Sequence, residues 1–249
     1  MRKKIVAGNW KMNGNYAESH LLYNAIAAGK DQFPDGVEVM IAPSFLFLSD
    51  FVKKNEERIK VLAQNCASKE KGAFTGEVSA AMLQSIGIEG AIVGHSERRL
   101  IFGERIEDIS EKVAILLKYN MQVIFCIGEQ LSERKSNSHF KVIEEQLRSI
   151  YSIAPVLFKN IVVAYEPVWA IGTGETASPD QAQEMHAFIR SKLREVYGDL
   201  ADETRILYGG SVKADNAFEL FSQQDVDGGL VGGAALQAGD FLEIIKAAG

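Results

Sequence analysis

A repeated change of hydrophobic period constrains this chain more than any other feature. Short apolar runs rich in β-branched residues alternate with stretches whose apolar residues recur every third or fourth position. The short runs are residues 4–9, 37–42, 61–65, 90–94, 121–127, 161–165, 205–208 and 226–231. Helical spacing runs from about residue 16 to 30, and is carried later by Ile106, Ile109, Val113 and Leu116, then by Ile143, Leu147 and Ile150. It returns in Ala182, Met185, Ile189, Leu193 and Val196, opened by Ser178-Pro179-Asp180-Gln181 as a capping box and stopped by Gly198. About eight strand–helix units of roughly thirty residues fit a closed parallel (β/α)8 barrel. A doubly wound open sheet is the rival, but no Gly-x-Gly-x-x-Gly follows the first strand.

Composition narrows the class further. The chain has 249 residues, of which 47% are hydrophobic, enough for one large core. No Pro/Ser-rich linker divides it, so residues 1–249 are expected to form one domain. No stretch approaches the ~20 apolar residues of a membrane span, and Met-Arg-Lys-Lys leads straight into a strand pattern. Cys66 and Cys126 lie far apart in apolar runs, which predicts buried reduced thiols and a cytoplasmic protein. No close-spaced His, Cys or carboxylate cluster predicts a metal site. A net charge of −6 argues against nucleic acid, yet leaves room for a small phosphorylated ligand held by local N–H groups.

In such a barrel, chemistry sits at the C-terminal ends of strands. Reading only those positions gives Asn9 and Lys11 after the first strand, His95 after the fourth and Glu166 after the sixth. Gly209-Gly210-Ser211 follows the seventh and Gly232-Gly233 the eighth, where glycine lets backbone N–H groups approach an anion and Ser211 adds a hydroxyl. The segment 234–236 is expected to begin a short helix facing that anion. A helix N-terminus just after His95 disfavours a second proton on its ring, so a neutral, donating imidazole is expected. Pro167 ends the sixth strand, and the segment to residue 177, with Trp169, Gly172 and Gly174, reads as a lid. His20, His139 and His186 carry no assigned chemistry.

Taken together, Gly8-Asn9-Trp10-Lys11-Met12-Asn13, Gly94-His95-Ser96-Glu97-Arg98-Arg99 and Ala164-Tyr165-Glu166-Pro167-Val168-Trp169-Ala170-Ile171-Gly172-Thr173-Gly174 resemble the triosephosphate isomerase family. Tyr208-Gly209-Gly210-Ser211-Val212 and Asp227-Gly228-Gly229-Leu230-Val231-Gly232-Gly233 extend the match to the last strand. The resemblance implies a single-domain TIM barrel that interconverts dihydroxyacetone phosphate and glyceraldehyde 3-phosphate without a cofactor, in glycolysis and gluconeogenesis. It implies Glu166 as base, His95 as electrophile, and Lys11 and Asn9 as stabilisers of the enediolate, with Ser96 and Glu97 behind them. Gly172, Ser211, Gly232 and Gly233 would join Asn9 and Lys11 in binding substrate, under a lid of about residues 167–177. It also implies a homodimer through the 65–78 loop, with Phe74, Thr75 and Gly76 reaching a second copy. Glu175 and Ala235 depart from the residues many relatives carry.

Two other readings stand beside this one. Another phosphate-binding barrel enzyme, such as an aldolase, would need a Schiff-base lysine inside the barrel, and the strand runs offer none at their centres. A non-catalytic barrel would have no need of Lys11, His95 and Glu166 together.

Overall fold

The apolar runs become eight strands: β1 (Lys4–Asn9), β2 (Val37–Ala42), β3 (Ile59–Val61), β4 (Gly90–Val93), β5 (Gln122–Ile127), β6 (Ile161–Tyr165), β7 (Ile206–Tyr208) and β8 (Gly228–Val231). This is a computed structural model, and it describes residues 2–54, 56–171 and 176–249. The strands are parallel, in the order β3-β2-β1-β8-β7-β6-β5-β4. The edges meet through a parallel bridge between Ala63 and Ala91. There Ala63 N–H donates to Gly90 O at 3.0 Å, and Ile92 N–H to Ala63 O at 2.9 Å. The sheet therefore closes into the expected (β/α)8 barrel.

Period-two alternation then divides each strand between two cores. Ile5, Ala7, Ile124, Cys126, Val162 and Ala164 belong to a buried cluster inside the barrel. Their neighbours Val6, Val123, Phe125, Val163 and Tyr165 pack with the surrounding helices in a second cluster. Strands buried on both faces are why the runs read as continuously apolar.

Several boundaries differ from the sequence reading. The third strand was expected at 61–65, but β3 ends at Val61 and only Ala63 pairs beyond it. Gln64 instead donates its amide to Lys11 O and Ala42 O, each at 2.8 Å, while Asn65 Oδ1 accepts from Lys112 Nζ at 2.8 Å. The helix carrying Ile143 ends at Leu147 and tightens into a 3-10 turn over Arg148–Ile150. In Pro179–Tyr197 the last inward residue is Tyr197, while Val196 is exposed. Its start and stop follow expectation: Ser178 and Gln181 form the capping box, and Gly198 takes φ +57. Among the described residues, no helix is long and apolar enough to cross a membrane.

Just before β7 and β8, the Arg190 guanidinium is buried and fully used. It bonds to the Asp225 carboxylate at 2.5 Å, the Asp227 carboxylate at 2.8 Å, and the carbonyls of Ala201, Thr204 and Asp225. Asp227 also accepts from Ile206 N–H and from Arg2, so a pre-strand carboxylate ties β7 to β8. His186 is buried beside this cluster, with Nδ1 3.2 Å from Asp225 O. Burial, aided by Arg190 and opposed by the Asp225 contacts, lowers its pKa from 6.5 to about 4.

This has a consequence for stability. Above pH 6.5 His186 is neutral in both folded and unfolded chains; as pH falls toward 4, only the unfolded chain takes up the proton. The group should therefore remove about 3 kcal/mol of stability across that window. Urea unfolding of the wild type and His186→Asn, at pH 7 and near pH 4.5 and at fixed protein concentration, measures it. The variant should lose less stability on acidification; equal losses would show that His186 does not govern the acid limb.

Candidate active site

The alternation that buries the strands also aims the site residues. Residues 5 and 7 face the interior, so Asn9 at the end of β1 does too, and it is buried. Residues 162 and 164 face inward, so Glu166, one step beyond β6, points into the barrel mouth at 1% exposure. His95 breaks the rule. Ala91 and Val93 face the helices, so simple alternation would turn His95 outward as well. Gly94 lies between at φ +70, a left-handed conformation that redirects the chain and brings the imidazole into the mouth.

Lys11 is held in a second unusual conformation. Its φ is +53, uncommon for a residue with a side chain, and three contacts hold it there. Its N–H donates to Asn9 Oδ1 at 3.1 Å, its carbonyl accepts from Gln64, and its ammonium bonds to Glu97 Oε1 at 2.7 Å. The ion pair is partly solvated and by itself stabilises the fold by at most about 1 kcal/mol. Its main effect is on position: it fixes the ammonium next to Gly232, whose Cα could carry a Cβ only 3.8 Å from Nζ.

The imidazole and the carboxylate face each other. His95 Nδ1 accepts from Glu97 N–H at 3.2 Å, which places the ring proton of the neutral tautomer on Nε2. Nε2 lies 3.0 Å from Glu166 Oε1, and Glu166 Oε2 accepts from Ser96 N–H at 2.8 Å. Glu97 Oε2 is 3.6 Å from Nδ1, too far for a hydrogen bond that would favour a proton there. Around this pair, Asn9, Lys11, Ser211, Gly232 and Gly233 line a cavity of about 370 Å³. The expected helix at 234–236 is a 3-10 turn, Gly233–Leu236, whose leading N–H groups have no partner within the turn. Ala235 is buried against Gly8.

Gly172 and Glu175 lie outside the described residues. The described ends of the 167–177 segment are anchored. Trp169 Nε1 donates to Glu129 Oε1 at 2.9 Å, which also accepts from Tyr165 at 3.0 Å. Ala177 N–H donates to Tyr208 Oη at 3.2 Å. Burial raises the Glu129 pKa, and the two donors oppose that effect.

Phe74, Thr75 and Gly76 lie on an exposed loop tied at its base by Ala67 N–H to Val78 O at 2.8 Å. Beside the main cavity is a groove of about 180 Å³ lined by Met12, Phe45, Gln64, His95 and Phe102.

The sequence reading missed several contributors. Asn13, Ile171, Lys213, Leu230 and Leu236 also line the cavity. Alternation could have found Leu230, which faces inward from β8. Nothing in the sequence marked Gln146. Its Oε1 accepts from Gly128 N–H at 2.9 Å and its Nε2 donates to Gly128 O at 2.8 Å, so one side chain clamps both polar groups of that glycine. Gly128 packs against the Glu166 backbone. Gln146→Met keeps the bulk and removes both bonds, so kcat should fall about tenfold with KM nearly constant, since Glu166 loses its fixed support. An unchanged kcat in a folded variant would rule out that link.

Comparison with known proteins agrees along the chain. The family described as Triosephosphate isomerase matches residues 4–248. The chain is 54% identical to a triosephosphate isomerase of Flavobacterium psychrophilum, with 99% of each chain covered. It is 55% identical to that of Flavobacterium johnsoniae, over 99% of this chain and 100% of the relative. Against that of Bacteroides fragilis it is 51% identical, over 99% of each.

Proposed function

The chain belongs to the triosephosphate isomerase family and interconverts dihydroxyacetone phosphate and glyceraldehyde 3-phosphate in glycolysis; we propose that it does so in the cavity at the barrel mouth, with Glu166 as base. The observation that carries this reading is the opposition of one buried carboxylate and one imidazole, 3.0 Å apart, within a single cavity of about 370 Å³. Glu166 removes a proton from the carbon beside the carbonyl, and the electron pair moves onto the carbonyl oxygen. His95 Nε2–H and the Lys11 ammonium stabilise the resulting enediolate, and Asn9 orients it. His95 moves the proton between the two oxygens, and protonated Glu166 returns a proton to the neighbouring carbon. Atoms and electrons balance with no external redox partner.

Glu166 Oε2 accepts from Ser96 N–H, and Oε1 lies 3.0 Å from His95 Nε2, whose proton is taken by the substrate carbonyl as it enters between them. The phosphate rests on Ser211, Gly232 and Gly233, joined by Gly172 as the lid over 167–177 closes. Closure excludes water and strengthens every charge interaction inside. Isomerase assay of the purified chain with dihydroxyacetone phosphate, in chelator and without added cofactor, tests the reading. Glyceraldehyde 3-phosphate should form; none formed by folded protein would refute it.

We further propose a homodimer in the cytoplasm. The exposed apolar side chains of Phe74, Met12, Leu46 and Phe102 and the groove beside His95 support the dimer, with the 65–78 loop of one copy seated in the groove of the other. A fully active species sedimenting only as a 27.4 kDa monomer at micromolar concentration would overturn it. The free, buried Cys66 and Cys126 support a reducing compartment.

A further inference from the structure

Among the described residues two lysines line the cavity, and the reaction as described uses only Lys11. Lys11 is committed to Glu97, and these two charges cancel at close range. Of the negative charges that line the cavity Glu166 then remains, offset in part by the partly buried Arg99 guanidinium behind it, on a chain whose overall charge is −6. The phosphate of a triose phosphate brings about −1.5 to −2 more near neutral pH. Backbone N–H groups bind such an anion at contact distance but attract it weakly from afar, because their fields are dipolar.

Lys213 is the remaining cationic side chain among the described residues lining the cavity. It is exposed, and among the described residues no ion pair or side-chain hydrogen bond engages its ammonium. Its backbone, by contrast, is fixed. Lys213 N–H donates to Asn216 Oδ1 at 2.8 Å, and the same amide donates through Nδ2 to Ser211 O at 3.1 Å. Ala217 N–H donates to Lys213 O at 3.0 Å, and Val212 between the two loop residues is buried. One asparagine thus ties the Lys213 stem to the carbonyl of Ser211, a residue of the phosphate loop.

We propose that Lys213 captures the substrate's phosphate at the cavity rim, offsetting the charge of Glu166 and delivering the dianion to the Ser211 and Gly232-Gly233 loops. The inference rests on the isomerase reading above and adds a residue to its binding step. Lys213 acts before chemistry, on encounter and affinity, so its contribution belongs in kcat/KM and must weaken with salt.

The test compares Lys213→Ala, Lys213→Glu and Lys3→Ala. Lys3 is an exposed lysine before β1, at the opposite end of the barrel, and removing it changes net charge equally. Measured at low ionic strength, kcat/KM for dihydroxyacetone phosphate should fall about threefold to tenfold in Lys213→Ala and further in Lys213→Glu, with kcat unchanged. The inhibition constant of inorganic phosphate should rise in parallel, and all these differences should shrink at about 0.2 M salt, where the Debye length is under ~8 Å. Lys3→Ala should match the wild type. Equal salt dependence in Lys213→Ala and Lys3→Ala, or a loss confined to kcat, would overturn the proposal. Wild-type turnover in the same assays separates the two levels: without it the isomerase reading fails, and with it only the role of Lys213 is at stake.

Discussion

Replacing Glu166 by Asp should leave substrate affinity nearly intact and reduce kcat by two orders of magnitude or more. The carboxylate is retained, and so is its charge, so the electrostatics of the mouth change little. What changes is reach. One methylene withdraws the oxygens by about 1 Å, a displacement that in well-oriented reactions costs on the order of 10²-fold. The native side chain is positioned by Ser96 N–H at 2.8 Å and His95 Nε2 at 3.0 Å, contacts that a shorter side chain cannot keep while also addressing a substrate carbon. Steady-state kinetics separate the possibilities. A low kcat with KM near the wild-type value is expected, because binding falls to Lys11 and the phosphate loops; near-wild-type turnover would remove Glu166 from the role of base.

Gly128→Ala should be the most destabilising single substitution near the mouth. A Cβ at residue 128 would lie 1.8 Å from Glu166 O and 2.8 Å from Glu166 C, both backbone atoms with no rotamer to yield. The two strands cannot easily part, since Glu166 N–H donates to Ile127 O at 2.7 Å and Gln146 grips both polar groups of Gly128. Relief would break these bonds and shift the base, so a loss of about 3 kcal/mol or more is expected. Gly233→Ala is the contrast, because a Cβ there meets nothing within 4 Å. Urea unfolding should show a large drop in midpoint for the first and little for the second. Equal midpoints for Gly128→Ala and the wild type would mean that the β5–β6 junction is far more compliant than its contacts imply.

These substitutions also show which information lay in the sequence. Barrel closure could be read because each strand is apolar on both faces, and alternation alone sent Asn9 and Glu166 inward. His95 could be found by motif but not by alternation, since its direction depends on the left-handed Gly94. Lys11 was legible as a cation, not as a strained residue held by Asn9, Gln64 and Glu97. Gln146 and Lys213 were not legible. Each acts across the fold, one by clamping a backbone from a helix and the other through a charge inventory that needs the whole cavity. β3 was misplaced because Gln64 and Asn65 follow an apolar run yet spend their amides on the mouth and on Lys112 instead of extending the ladder.

The most direct test of the central claim is proton exchange in heavy water. Wild-type protein and Glu166→Gln are incubated with dihydroxyacetone phosphate and followed by proton NMR. The wild type should place deuterium on the carbon beside the carbonyl and form glyceraldehyde 3-phosphate. The variant, folded and still binding inorganic phosphate, should do neither at a comparable rate. Equal deuterium incorporation by both proteins would contradict the account, because the proton would then be leaving through some group other than Glu166.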